Sequence, residues 1–137
     1  MLPTYTALFE AHRWLCLTRR IRYSERELHD AQIAIARARL LAATLAAGDE
    51  DDEPPALLLA LLLEAGALGE ARSAFPVVAL RHLLSSRGLA LVLDFADRLE
   101  LRAIRDRALA ARDVNGPLRE AFDDARAFVA ARLRPRE

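Results

Sequence analysis

Three histidines (His12, His29 and His82), one cysteine (Cys16) and a glycine-interrupted stretch, EAGALGEARSAF (64–75), hold the residue types from which a catalytic or metal site could be built. A zinc site on a helix needs two ligands on one face a turn apart. The three imidazoles fall in three different helical segments, so no HExxH-type pair exists and any site would need assembly by tertiary contacts. Half-buried positions on amphipathic helices are the plainer reading of all three. Cys16 falls on an apolar stripe, where a small inert thiol is expected rather than a nucleophile, which needs access and a lowered pKa. A single cysteine also excludes an internal disulfide. No GxSxG elbow, GxxxxGK[ST] loop or GxGxxG turn is present.

Other charged groups are weaker candidates. TRRIRYSER (18–26) gathers Arg19, Arg20, Arg22 and Arg26 around Tyr23. Guanidinium groups beside an aromatic ring can hold a phosphate or stack on a base, although a solvated inter-helix loop has the same look. A formal net charge of zero and a pI near 6.8 argue against a dedicated nucleic-acid domain. DEDDE (49–53) lacks the alternating spacing of a calcium loop. Glu25 with Glu27, and Asp123 with Asp124, are too close in sequence to face each other on a helix. These residues alone indicate no metal, no cofactor and no acid–base couple.

All 20 basic residues are arginine, and with the abundant alanine and leucine this points to a GC-rich genome. Charge is uneven: residues 1–40 carry a net +3, residues 41–97 a net −6 and residues 98–137 a net +3. The N-terminus lacks the basic-then-apolar layout of a secretory signal. The longest apolar run, Pro55–Leu63, falls well short of the roughly 20 residues of a membrane span. A cytoplasmic, membrane-free protein is the expectation.

The elements that must position these groups read as helices. With 137 residues and 53% hydrophobic content, the chain suits one compact domain. Tyr5, Leu8, Phe9, His12, Leu15 and Cys16 mark one face of a first helix, with Trp14 and Leu17 off that face against a second neighbour. Ser24 and Glu27 form a capping box for a second helix whose stripe is Leu28, Ala31, Ile35, Ala38, Ala42 and Leu45. DEDDE is an acidic loop. Pro54 and Pro55 open a third helix, and its all-apolar ALLLALLL (56–63) belongs at the bundle centre. Ser73 is placed to cap a fourth helix with Val77, Leu80, Leu83 and Leu84 inside. LALVLD forms an extended link, at most a single short strand over 89–93. Asp94 or Asp97 caps a fifth helix carrying Leu101, Ile104, Ala108 and Ala111. NGP (115–117) turns into a sixth with Leu118, Phe122, Ala125 and Val129. The expected architecture is all-α: one domain of about six helices over 1–133, with a frayed tail at 134–137.

In order and shape these segments resemble the Fic/Doc (death-on-curing) family. LHDAQIAIARARL (28–40) resembles its LLExAlxRP-like helix, and PALLLALLLEAG, ALGEARSAF, PVVALRHLLSSRG and LALVLD follow in the family's order. The family loop reads His-Pro-Phe, two residues, Gly-Asn, Gly or Lys, then Arg. With its glycine on Gly69, its arginine falls on Arg72, but Glu64 stands at the histidine and Glu70 at the asparagine. The histidine activates an incoming hydroxyl while the loop amides and arginine hold nucleotide phosphates, so these glutamates imply a scaffold whose transfer chemistry is gone. LLLEAGALGEARSAF also resembles half a tetratricopeptide repeat, but no second copy follows at the 34-residue period.

Three functions follow as expectations. The first is a non-catalytic protein–protein interaction domain, in a bacterial toxin–antitoxin or defence pair, binding a protein partner or a second copy through Trp14, Leu17 and Ile21. The second is a divergent nucleotidyl- or phosphotransferase with Arg72 on phosphate and Glu64 as an atypical base. The third is weak nucleic-acid binding through Arg19, Arg20, Arg22 and Arg26.

Overall fold

Capping chemistry sets the ends of the long helices. Thr4 Oγ1 accepts from the Ala7 amide at 3.1 Å and starts α1 (Tyr5–Arg19). Ser24 and Glu27 exchange the two bonds of a capping box and start α2 (Glu25–Ala46). The computed structural model describes residues 1–136 and continues with α3 (Glu53–Leu62), α4 (Ala65–Leu68), α5 (Phe75–Ser85), β1 (Leu89–Leu91), α6 (Phe95–Asp113), α7 (Arg119–Arg132) and β2 (Leu133–Pro135). Asp94 and Asp97 form a second capping box at α6, with both bonds at 2.9 Å. The architecture is all-α with one short ribbon.

α3 is the axis of the bundle. Every residue from Pro54 to Leu62 is buried, as an all-apolar helix requires. α2 packs on it most extensively, with α5 and α7 on other flanks and α6 touching it more lightly. The face α2 buries is almost all alanine (Ala31, Ala34, Ala38, Ala42 and Ala46, with Ile35), and small side chains permit close interaxial approach. α1 completes the layer against α5 and α2.

Several expectations are corrected. Ser73 does not cap the fourth long helix: Ala74 occupies that position without a side-chain bond, and Pro76 lies in the first turn. DEDDE is not wholly loop, because Glu50–Asp52 winds into a 3-10 turn and Glu53 already belongs to α3. The 64–76 turn contains the extra helical turn α4 and a second 3-10 turn, Gly69–Ala71.

The tail is not frayed over its described part. Leu133–Pro135 pairs antiparallel with Leu89–Leu91, placing Leu91 opposite Leu133. Val92 N–H donates to Arg132 O and Arg136 N–H to Gly88 O, while Glu137 lies outside the described residues.

Arg132 clamps this end. Its Nε donates to Asp97 at 2.8 Å, a terminal nitrogen to Glu100 at 2.6 Å, and its guanidinium lies 4.0 Å from the Phe128 ring centroid. The Asp94 amide, then the Arg132 guanidinium, hold the Asp97 carboxyl below the usual range. A depressed carboxyl stabilises the fold above its unfolded pKa, and that contribution is lost as pH falls through the folded value. Arg132→Ala is therefore expected to lower the melting temperature, to flatten its decline below about pH 4, and to release the Val92 and Arg136 amides to hydrogen exchange. Unchanged protection of those amides would contradict this account.

Candidate functional site

A cavity of about 470 Å³ lies between α1 and the start of α2. Its apolar wall is Phe9, Leu17, Ile21 and Leu28, and its polar groups include His12, Cys16, Tyr23 and Gln32. A chain reversal builds it. Arg20 adopts a left-handed conformation (φ 56°) and sends its N–H to Cys16 O, turning the backbone so that Tyr23 returns over α1. A non-glycine residue pays about 1 kcal/mol for that geometry, so packing of the returning segment must hold it.

Tyr23 closes a small polar network. Its hydroxyl donates to Leu68 O at 2.7 Å, and its oxygen lies 3.2 Å from His12 Nε2. With the tyrosine proton committed to Leu68, Nε2 must carry the imidazole proton and donate to Tyr23. Cys16 Sγ lies 3.7 Å from the same nitrogen. Nε2 therefore cannot serve as a base toward the thiol. Burial lowers the His12 pKa and raises that of Cys16. Both groups are neutral at physiological pH, the opposite of an activated thiolate–imidazolium pair. The edge of His12 also meets Phe75, with centroids 5.1 Å apart. The arrangement can bind, but it does not activate a nucleophile. Alkylation of Cys16 by iodoacetamide at pH 7.5 is expected to be slower than that of free cysteine; a rate above the free thiol's would contradict the assignment.

Trp14 and Leu17 have no second neighbour, contrary to expectation: they are 59% and 71% exposed. Leu28, expected in the core stripe, is also exposed at the cavity wall. Ile21 is half-buried, packs on the core and lines the cavity. Arg13, Arg19, Arg20, Arg22 and Arg26 are exposed at this end, and none ion-pairs among the described residues.

The transferase candidates are not brought together. Glu64 is 8% exposed and bound by Arg37 through two bonds of 2.8 and 2.7 Å. Arg72 is exposed, donates to Gly69 O at 2.9 Å and lines a cleft in which Glu64 takes no part. The groove over Gly66, Ala67 and Gly69, about 360 Å³, is bordered by the carboxylates of Glu27 and Asp30 against the single Arg37. Such a border repels phosphate. His29 and His82 are exposed and line none of these three cavities.

Sequence reasoning placed Tyr23 only among arginines. Its bond to Leu68 spans 45 residues and carries no local signal, whereas the four-residue spacing of His12 and Cys16 was readable as one helix face. Among the described residues no three His, Cys, Asp or Glu side chains gather to hold a metal ion. Among the described residues no single helix is long and apolar enough to cross a membrane, and the one bent pair of comparable length there, Glu50–Leu62 with Ala65–Ala71, contains the buried axis of the bundle. Compared with family models, curated proteins and solved structures, the chain matches none.

Proposed function

We propose that this protein is a non-catalytic helical binding module that takes an acidic, amphipathic segment of a protein partner on the outer face of α1. The observation that carries the reading is the exposure of Trp14 and Leu17. They lie three residues apart on one helix face, and Leu17 forms part of the cavity wall. Exposed tryptophan is a typical hot-spot anchor. The cavity supplies a slot for an aliphatic or aromatic side chain; Arg13 and Glu10 both line it. Arg19, Arg20, Arg22 and Arg26, exposed at this end of the fold and unpaired among the described residues, favour carboxylates and speed encounter. The neutral His12–Cys16–Tyr23 network gives the slot a polar floor without reactivity.

The proposal includes a cytoplasmic setting, a toxin–antitoxin or defence pair, and a degenerate Fic/Doc-like scaffold. What makes that scaffold degenerate is the pair of glutamates at the expected histidine and asparagine positions, and carboxylates border the glycine-turn groove. Divergent transfer chemistry is the weaker reading, since Glu64 is already saturated by Arg37. Nucleic-acid binding by Arg19, Arg20, Arg22 and Arg26 is weaker too, because apolar groups dominate the adjoining surface.

The test is sedimentation of the purified chain with an acidic Leu/Glu helical peptide. Complex formation is expected at micromolar peptide, with Trp14→Ala weakening it by about 2 kcal/mol, roughly 30-fold. Equal affinity of the variant would refute the assignment, and a chain that self-associates without peptide would replace it with a second-copy interface.

A further inference from the structure

On a different flank, four arginines converge. Arg98, Arg102 and Arg105 stand at i, i+4 and i+7 on α6, one face of that helix. Arg72 and Ser73 approach from the turn before α5, and together they enclose a cleft of about 130 Å³. Its apolar part is Leu62 and Leu101, both buried. No carboxylate among the described residues lines it. Asp97 and Glu100 of α6 are engaged by Arg132, and Asp106 touches only Arg105, through a 3.3 Å exposed contact. Arg98 and Arg102 make no ion pair among the described residues.

Like charges four residues apart on a helix oppose folding. Three in a row, facing a fourth across an apolar floor, form a concentrated positive field that the exposed Arg105–Asp106 contact and the bond from Arg72 to Gly69 O offset only in part, with Arg98 and Arg102 left unpaired among the described residues. We infer that this cleft is an anion site for a compact phosphate group, either free as phosphate or pyrophosphate or carried as a phosphomonoester. The cleft is too small for a drug-sized ligand, which needs at least about 300 Å³. Planar guanidinium forks match phosphate oxygens bidentately, and the Ser73 hydroxyl adds a neutral donor. Leu62 and Leu101 lower the local dielectric and strengthen each contact.

The experiment titrates the full chain with inorganic phosphate, pyrophosphate and phenyl phosphate, each against chloride at matched ionic strength. Readouts are calorimetry and the shift in melting temperature, which follows ligand concentration over Kd. The expected result is saturable stabilisation that weakens with salt, with an Arg98→Gln/Arg102→Gln variant losing affinity by about tenfold or more. Tighter binding of pyrophosphate would mark the free anion as the ligand, and tighter binding of phenyl phosphate an esterified one. Both arginines are exposed, so the variant should fold. Without ligand it should melt at a higher temperature than the parent, because repulsion is relieved; a purely structural role would lower it. An Arg19→Gln/Arg22→Gln control should bind as the parent does. Failure of all three probes to bind, equal binding by the Arg98/Arg102 variant, or loss confined to the control would overturn the site.

Discussion

Replacing Phe75 by alanine is expected to remove about 3–5 kcal/mol of stability, the cost of emptying a closed aromatic site. Phe75 is fully buried at the first turn of α5, where its ring meets the edge of His12. The substitution takes away the side chain that joins the α1–α5 contact to the polar network. Small domains are stable by about 5–15 kcal/mol in total, so this variant gives up a large share. The checking measurement is a urea melt: the midpoint should fall strongly with the slope unchanged, since the surface exposed on unfolding stays nearly the same. A loss under about 1 kcal/mol would mean that the cavity collapses freely and that Phe75 does not hold α1 against α5.

Tyr23→Phe keeps the ring and removes one oxygen. Leu68 O loses its donor and His12 Nε2 its acceptor, and stranding such groups costs about 1–3 kcal/mol. The same variant should alter the alkaline limb of the stability curve. Burial, then the neighbouring Cys16, pushes the Tyr23 pKa up from 10.0 to about 12. For an acid whose folded pKa is raised, the unfolded chain ionises first. Stability is intact below pH 10.0, declines from there to about 12, and levels off above. Because Tyr23 is only half-buried, solvent screening keeps the effect below about 2 kcal/mol. Melting temperatures recorded from pH 8 to 12 should show this decline in the parent and its flattening in Tyr23→Phe. Parallel curves would place the tyrosine outside the network.

Features that depend on neighbours along the chain were legible in the sequence. The Ser24–Glu27 box, the proline-opened apolar helix α3 and the alanine face of α2 appear where spacing places them, because caps and periodicity act within one or two turns. Contacts between distant segments were not. LRP at 133–135 has no strand signature, and it becomes extended because Leu89–Leu91 offers a partner and Arg132 anchors the approach. Trp14 and Leu17 were expected against a second neighbour because large apolar side chains are usually covered, and the fold supplies none. The α6 arginine stripe drew no expectation from the sequence, and its meeting with Arg72 depends on how the turn before α5 sits on α6.

Trp14 is the only tryptophan, so its fluorescence reports on the proposed surface directly. The decisive measurement is acrylamide quenching of Trp14 with increasing amounts of an acidic Leu/Glu amphipathic peptide, compared with the same peptide bearing lysine in place of glutamate. The account predicts that the acidic peptide shields Trp14 and shifts its emission to the blue, that the lysine peptide does neither, and that Leu17→Glu abolishes the shielding. Quenching unaffected by the acidic peptide, or equal shielding by both peptides, would contradict the assignment of α1 as a binding face for an acidic partner.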